Sequence, residues 1–522
     1  MAVARSTQAA IDRWPWLSAA PAILVIAGIA VLVFLTENRV VGWEPGYNEL
    51  QPAHHGWVSS HTLAIISHAT AENGFVGYAT QSIDESGRPA YDYFDRYPVF
   101  FSVGMHALLS LRDKASTQVY LAKQAMNAVF LLTLVAAYLL VRLLVRNWVL
   151  AVPAVLLSVS SQYLLFYKDM VHYDQPALLG VIIAIYAIAR HLKHPVRPLL
   201  FASAVAAVAL GRGYATLAVL LVWAGVEACR IILRRGSSWP SKARQFFRHE
   251  SLHVLIIATL WAAALLSYNI LVEARKREIP PAETSIVSSA AQRLALDRPF
   301  NESNSEILRW DRFLAGQATR IVRWVLPIWD YDGVTWLDAV MVVLMLGTVA
   351  VYGTRLDSPG RTTLILMVVP GLVWMAALRN LTAFHDYTTM YYLGLSLAFY
   401  VALFSLLRPS VWARGLLLVG SLAIFVYRND STQRLHYHLG STVSSYTWDF
   451  VEIGRQLPEH GAGKYVYFAD PIPKAPYAFG FYLPDAYEAP YMLAEYVVSA
   501  KYDLFPQTLT PNNTRLFLFR KP

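Results

Sequence analysis

The chain has 522 residues, of which 56% are hydrophobic and 15% charged, with a formal net charge of +9 at pH 7. A mean hydropathy of +0.38 and apolar runs of about 17–22 residues, long enough to cross the roughly 30 Å core of a bilayer, exclude an ordinary soluble domain. The positive charge lies mostly in short loops between apolar runs, so it does not predict a nucleic-acid site. The single cysteine, Cys229, excludes a disulfide framework and a thiolate metal cluster.

The apolar runs predict a polytopic α-helical membrane protein with about eleven transmembrane helices. In chain order the predicted spans are 16–36, 120–142, 148–166, 176–192, 198–211, 214–230, 252–272, 334–352, 362–378, 389–407 and 414–427. The first run is too long for a signal peptide and lacks a small-residue cleavage site, so we interpret it as an anchor.

The basic short loops fall on one face of this arrangement, and the richest is 230–248. The positive-inside rule places that face and the N-terminus in the cytoplasm of a plasma or bacterial inner membrane. Two long loops, 37–119 and 273–333, then lie outside together with the tail. The tail alternates strand-like runs with one helical stretch, 446–457, and predicts a small α/β domain. The predicted units are therefore a transmembrane domain, 1–427, and an extracytoplasmic domain, 428–522.

The first external loop carries four histidines between Gly46 and Ala69 and one carboxylate, Glu49. The histidines lack the pair at i, i+4 with a nearby Glu that zinc hydrolases use, so they do not predict a metal site. Three segments of the two external loops have amphipathic helical patterns and are too polar to span, which predicts helices at the membrane interface. They are 57–71, 98–111 and 307–325.

Polar groups also gather at the external ends of spans, where their cost indicates function or a wet cavity. The segment SQYLLFYKDMVHYDQP places four titratable side chains in one short loop: Lys168, Asp169, His172 and Asp174. LGRGYA places Arg212 between two glycines, and RNLTAFHDY adds Arg379 and His385. Cations can neutralise a phosphate leaving group, while a carboxylate or imidazole can activate a hydroxyl. We favour a site role for Asp174, although an acid at this position is also typical of one that stabilises a helix N-terminus.

These motifs resemble the GT-C class of membrane glycosyltransferases, in the branch of protein O-mannosyltransferases and lipid A aminoarabinose transferase. The similar segments are AENGFVGY, YDYFDRYPVFF, the Asp174-Gln175-Pro176 motif, LGRGYA and FHDYTTMYYLGL. The resemblance implies an inverting transfer from a polyprenyl-phosphate-linked sugar, with an acidic base in the first external loop. Its register puts that acid near Ser59, where this chain has no carboxylate. Glu49, Glu44, His54 or His55 would have to replace it.

We therefore expect a glycosyltransferase that moves a sugar from a polyprenyl-phosphate donor to a hydroxyl of a glycan, lipid or protein, among membrane lipids and without nucleic acid. The expected catalytic set is Glu49, His55, Asp174 and Asp169. The expected donor-binding set is Arg212, Arg96, Lys168, Arg379 and His385. The expected acceptor or loop set is Glu44, His54 and His172. No cofactor is required by the pattern, and Mg²⁺ or Mn²⁺ remains open.

Three alternatives remain. A glycan ligase would use a diphosphate-linked lipid and have the same sidedness. A secondary transporter would carry charges at mid-membrane and an internal repeat, which the sequence does not show. A non-catalytic protein would follow if the first-loop acid is truly lost.

Overall fold

The computed structural model describes residues 27–29, 31, 53–94, 96–112, 115–145, 147–234, 236, 238–276, 308–328, 335–442, 453, 464–469, 486–499 and 517–520. Glu44 and Glu49 lie outside these residues, as do most of the predicted first span and of the predicted helix 446–457.

The described part of the chain is mostly helical. Its helices are α1 (Ala53–Ser67), α2 (Phe100–Leu109), α3 (Ala115–Leu144), α4 (Trp148–Val159), α5 (Gln162–Phe166), α6 (Asp174–Lys193), α7 (Arg197–Ala209), α8 (Tyr214–Leu233), α9 (Trp239–Phe247), α10 (Glu250–Lys276), α11 (Trp310–Val325), α12 (Thr335–Thr354), α13 (Ser358–Ala377), α14 (Arg379–Phe384), α15 (Leu393–Leu407) and α16 (Val411–Thr442). A 3₁₀ helix, Asp386–Tyr392, leads directly into α15.

Eight helices in the described residues are long and apolar enough to cross a membrane, which confirms a polytopic helical membrane protein. They correspond to eight of the predicted spans. The predicted spans 148–166 and 198–211 correspond instead to helices of 12 and 13 residues, shorter than the roughly 20 residues that a straight crossing needs. The total of eleven is therefore not confirmed.

Helix α6 is the central span. It packs against α3, α7, α8 and α13, and 78% of its apolar window is buried, compared with 17% for the span Val411–Thr432. The larger fraction follows from its sequence, in which small and branched apolar residues cover nearly the whole circumference. The ends of α6 are therefore the fixed points around which neighbouring loops are arranged.

The strands form one six-stranded sheet from two distant parts of the chain. Strands β1 (Tyr78–Ile83) and β2 (Pro89–Tyr93) come from the first loop. The tail adds β3 (Lys464–Phe468), β4 (Ala486–Glu488), β5 (Tyr496–Ser499) and β6 (Phe517–Arg520), giving the order β2-β1-β4-β3-β5-β6. The join is parallel, with Ser82 opposite Glu488. The tail contains predicted strands, but its independence as a domain remains a prediction.

Helix α1 differs from the interface helix predicted for 57–71, because such a helix would expose one face. From Val58 to Ile66 all of its residues are buried except His61, which is partly accessible. His68, just after the helix, is buried, stacks on the ring of Tyr78 at 3.9 Å and has Nδ1 2.8 Å from the carbonyl oxygen of Ala64. The first-loop helix is thus part of the packed interior, and the contacts of His68 indicate a structural role for this side chain.

Candidate active site

The candidate site is centred on Asp174, the first residue of α6. Its side chain is fully buried, with three polar neighbours from three different elements. Oδ2 lies 2.8 Å from Nδ1 of His172, and Oδ1 lies 3.3 Å from Nη1 of Arg212. The hydroxyl of Tyr391 donates to Oδ1 at 3.1 Å. The structure therefore brings Asp174, His172 and Arg212 together and adds Tyr391.

The turn that carries Arg212 fits only because glycines flank it. Gly211 has a φ of +54°, and a Cβ there would lie 2.1 Å from the carbonyl oxygen of Tyr173. A Cβ on Gly213 would lie 1.9 Å from the carbonyl oxygen of Val208. The close approach lets the backbone N–H of Arg212 donate to the Tyr173 carbonyl oxygen at 3.0 Å. The two glycines thus set the turn between α7 and α8 directly against the start of α6.

Arg212 has unused hydrogen-bond donors in this position. Its side chain is 4% exposed, and neither Nε nor Nη1 has a hydrogen-bond acceptor among the described residues. The 3.3 Å contact to Asp174 is an ion pair without hydrogen-bond geometry. The guanidinium also lies over the ring of Tyr97, 4.8 Å from its centroid. A charged fork with unused N–H groups in a buried setting is suited to an incoming oxyanion such as phosphate.

Aromatic rings enclose the polar centre. The ring of His172 contacts Tyr97, Tyr173 and Tyr387 at centroid distances of 6.5, 5.7 and 5.2 Å. The hydroxyl groups of Tyr173 and Ser102 are 2.7 Å apart, which connects α2 to the start of α6. Low polarity around these charges strengthens their interaction and holds the side chains in one arrangement.

The first loop reaches the same place through α1. Ser59, where the family resemblance expects an acid, is buried, and its Oγ accepts a hydrogen bond from the backbone N–H of Val171 at 3.2 Å. His61, two residues later, has a pKa lowered to about 3 by burial, by His172 and by Arg96. The expected acid position therefore adjoins the loop that holds His172, although a serine occupies it here.

The other predicted donor-binding residues and the predicted catalytic Asp169 lie at different places. Lys168 and Asp169 are buried in the loop between α5 and α6. Arg96 lies over the ring of Phe94 at 5.4 Å, and that ring stacks near Tyr173 at 5.7 Å, so Arg96 borders the aromatic enclosure.

Two predicted residues follow α13. His385 reaches the enclosure through the ring of Tyr387, 5.3 Å away. The guanidinium of Arg379 instead lies over the ring of Trp310 at 4.5 Å, which gives it a partner on α11.

The predicted catalytic bases of the first loop fall outside the residues or side chains that the structure describes. Glu49 and Glu44 lie outside the described residues. His54 and His55 fall in the first turn of α1, and their side chains are likewise outside the description. Among the described residues no group of three or more His, Cys, Asp or Glu side chains could hold a metal ion, so a divalent cofactor has no described ligand cluster and remains untested.

Sequence reasoning did not single out Tyr97, Tyr173 or Tyr391 as site residues. Each lies inside or next to a motif that was noted for its charges: Tyr97 beside Arg96, Tyr173 between His172 and Asp174, and Tyr391 after His385. A tyrosine beside a charged group at the end of a span is the pattern that could have identified them, because a buried hydroxyl needs a polar partner.

The fold can be compared with known proteins. No family model matches the sequence, and no curated protein matches it. The solved structures that are similar over almost the whole chain include two of ArnT from Cupriavidus metallidurans. The one bound to undecaprenyl phosphate has a TM-score of 0.59 at 12% identity, covering 96% of this chain and 98% of that one. The apo form has a TM-score of 0.53 at 11% identity with the same coverage.

The likeness extends over the spans and the tail alike, since 96% of the chain is covered. It confirms the predicted resemblance to the aminoarabinose-transferase branch of the GT-C class at the level of the fold. The chain therefore has the fold of the ArnT membrane proteins.

Proposed function

We propose that the protein is an inverting glycosyltransferase that moves a sugar from a polyprenyl-phosphate-linked donor to an acceptor hydroxyl. The observation that carries the proposal is Arg212: a buried guanidinium with unused donors, held by Asp174 in a chain with the ArnT fold. The ArnT structure with the higher TM-score is bound to undecaprenyl phosphate. In this chain the membrane-spanning helices would offer such a lipid apolar walls, and Arg212 would supply a cation at the phosphate.

The proposed reaction is one displacement at the anomeric carbon. The acceptor oxygen forms a bond to that carbon while the bond to the phosphate oxygen breaks, and the hydroxyl proton goes to a base. Polyprenyl phosphate leaves with its extra charge neutralised by Arg212, assisted by Arg96 or Lys168. Asp174 is fully buried with three polar neighbours, so we assign it a positioning role toward Arg212 and His172. Asp169 remains a further candidate in this set.

The base is proposed to come from the first loop, as Glu49 or His55, with Glu44 and His54 as neighbours. His172 is a specific alternative because Asp174 contacts its Nδ1, as an orienting carboxylate would in a His–Asp pair. Glu49→Gln, His55→Gln and His172→Gln would separate these candidates, since only loss of the true base changes the pH dependence of kcat as well as its size.

The test is transfer by the purified protein in liposomes supplied with undecaprenyl-phosphate-linked sugars (aminoarabinose, mannose and glucose) and an envelope extract as acceptor. Release of undecaprenyl phosphate is measured by mass spectrometry. We expect Arg212→Gln to lower the rate by about 10²–10³-fold and Arg244→Gln, an exposed arginine on α9, to leave it unchanged. Equal rates for wild type and Arg212→Gln would refute the assignment.

The same assay distinguishes the alternatives. A diphosphate-linked donor that alone supports transfer would identify a glycan ligase. Transport of a solute without donor cleavage would indicate a transporter. We propose the plasma or bacterial inner membrane as its location, with the Asp174 end of α6 facing outward, because the basic short loops fall at the opposite ends of the spans.

A further inference from the structure

A second polar cluster lies at the other end of α6. His191 lies seventeen positions after Asp174 on α6, which places the two about 26 Å apart along the helix. A cavity of about 380 Å³ opens there, lined by His191, Leu192, Trp223, Arg248, His249 and Glu250. It lies on the side of the basic loops and shares no residue with the Asp174 site.

The acids at this end are already neutralised. Glu250 lies 2.7 Å from Nε2 of His191 and pairs with the guanidinium of Arg197. Glu227, on α8, lies 2.6 Å from Nη1 of Arg230 and 3.9 Å from Nε2 of His249. These two carboxylates already have cationic partners, so they do not neutralise the positive charge of Arg248.

Two hydrogen-bond donors of the lining are left over. Arg248 is exposed, and its guanidinium pairs with no residue that the structure describes. Trp223 is 1% exposed, yet its indole N–H has no acceptor among the described residues. Its ring makes edge-on contacts with those of His191 and His249, at centroid distances of 6.5 and 6.4 Å. A buried N–H without a partner is costly unless a ligand supplies the acceptor.

The helix before the cavity is suited to a lipid surface. α9 ends one residue before Arg248, and it exposes Trp239 and Phe247 by 70% and 66%. Nζ of Lys242 lies 5.9 Å from the centroid of the Trp239 ring. Short basic helices with exposed aromatic residues lie in the headgroup region and attract anionic lipids.

We propose that this cavity binds the phosphate of an anionic phospholipid headgroup, with Arg248 and the Trp223 N–H as its donors. The helix α9 brings the headgroup to the cavity, while the acyl chains remain in the bilayer. This site goes beyond the proposed transferase reaction and does not depend on it.

The experiment measures Tm of the purified full-length protein in detergent during titration with phosphatidylglycerol. Phosphatidylcholine and inorganic phosphate form two separate arms. We expect a saturable rise of Tm with phosphatidylglycerol and little with phosphatidylcholine. Arg248→Gln and Trp223→Phe should each raise the midpoint concentration about tenfold, the effect of losing one charge-assisted hydrogen bond.

Arg355→Gln is the matched control, because Arg355 is exposed in another basic short loop and neither lies on α9 nor lines the cavity. Its titration should equal that of wild type. Trp223→Phe leaves a void in the packed core and should lower Tm without lipid, so the midpoint of its titration is compared and not its absolute Tm. An equal response to inorganic phosphate, weakened by the same two substitutions, would support the site and identify free phosphate as its ligand. Unchanged midpoints in both variants, equal weakening by Arg355→Gln, or no response in any arm would overturn the proposal.

Discussion

Each end of helix α6 has a carboxylate paired with a cation and a histidine, but the pair is buried at one end and partly exposed at the other. At the first end, Asp174 is fully buried and meets His172, Arg212 and Tyr391 inside an enclosure of aromatic rings. At the last end, Glu250 meets His191 and Arg197 with 24% of its side chain exposed, beside an open cavity.

The difference indicates which end of the helix holds its side chains in a fixed geometry. A buried ion pair cannot exchange its partners with water, so its geometry is fixed by packing and its loss is costly. An exposed pair is screened and contributes little. The Asp174 end is therefore suited to hold reacting groups in place, whereas the Glu250 end can open to ligands from the surface.

The sharpest test of this comparison substitutes the acid at each end. Asp174→Asn leaves the charge of Arg212 buried without its counter-ion and should cost about 3–5 kcal/mol of the free energy of unfolding. Glu250→Gln removes a charge from a partly exposed position whose partner Arg197 is 73% exposed, and should cost about 1 kcal/mol or less. Chemical denaturation in detergent measures both. Similar losses at the two ends would contradict the comparison.

The glycine turn beside Arg212 should be nearly as sensitive. Gly211→Ala puts a Cβ 2.1 Å from a carbonyl oxygen in a residue whose φ is +54°, so we expect a loss of about 1–3 kcal/mol from strain alone. Gly225→Ala, in the middle of α8 with no atom within 4 Å of the new Cβ, is the control. It should be neutral or stabilising by up to about 1 kcal/mol. A neutral Gly211→Ala would show that the turn is not held against Tyr173.

A smaller effect is expected where one hydrogen bond is removed. Tyr391→Phe takes away the hydroxyl that donates to Asp174 and should cost about 1 kcal/mol, with Arg212 and His172 still in place. Tyr268→Phe is the control, because that hydroxyl donates to the Gly74 carbonyl oxygen at 2.8 Å from an exposed ring. We expect transfer activity to fall only for Tyr391→Phe. Equal activity in the two variants would remove Tyr391 from the site.

The smallest effect at neutral pH is expected from His61, and it grows as the pH falls. The pKa of His61 is lowered from 6.5 to about 3 in the fold, so the unfolded chain binds more protons than the folded one between these values. Stability should therefore decline as pH falls below 6.5, and His61→Gln should make the decline shallower. Tm measured across this range provides the readout. An unchanged slope in His61→Gln would show that the ring is not held neutral.

Much of the fold could be predicted because a bilayer imposes simple requirements on apolar runs. Span length alone located eight of the long helices. The segment 148–166 shows the limit of this reasoning: α4 ends at Val159 and α5 begins at Gln162, on either side of the short polar run that begins at Ser160. Hydropathy averaged over a whole span does not detect such a break, because three polar residues are outweighed by the apolar residues around them.

The charged part of the site could also be anticipated, since Asp174 and Arg212 occupy span ends where charge is unusual. The residues that contact these two side chains could not be anticipated. The contact of Tyr391 with Asp174 joins residues 217 positions apart, and no local pattern encodes such a pairing. Ser59 could be placed near the site only by its register in the resemblance, and its contact with Val171 needed the packed structure.

The sheet shared by the first loop and the tail has a consequence for biosynthesis. The side chain of Gln81 on β1 donates to the carbonyl oxygen of Ala486, 405 residues later. At about 5–20 residues per second, the ribosome needs roughly 20–80 s to supply that partner. Throughout this interval β1 has its hairpin neighbour β2 but lacks β4, so one strand edge stays open to incorrect pairing while the spans are being inserted. Completion of the sheet is therefore one of the last steps in the protein's biogenesis.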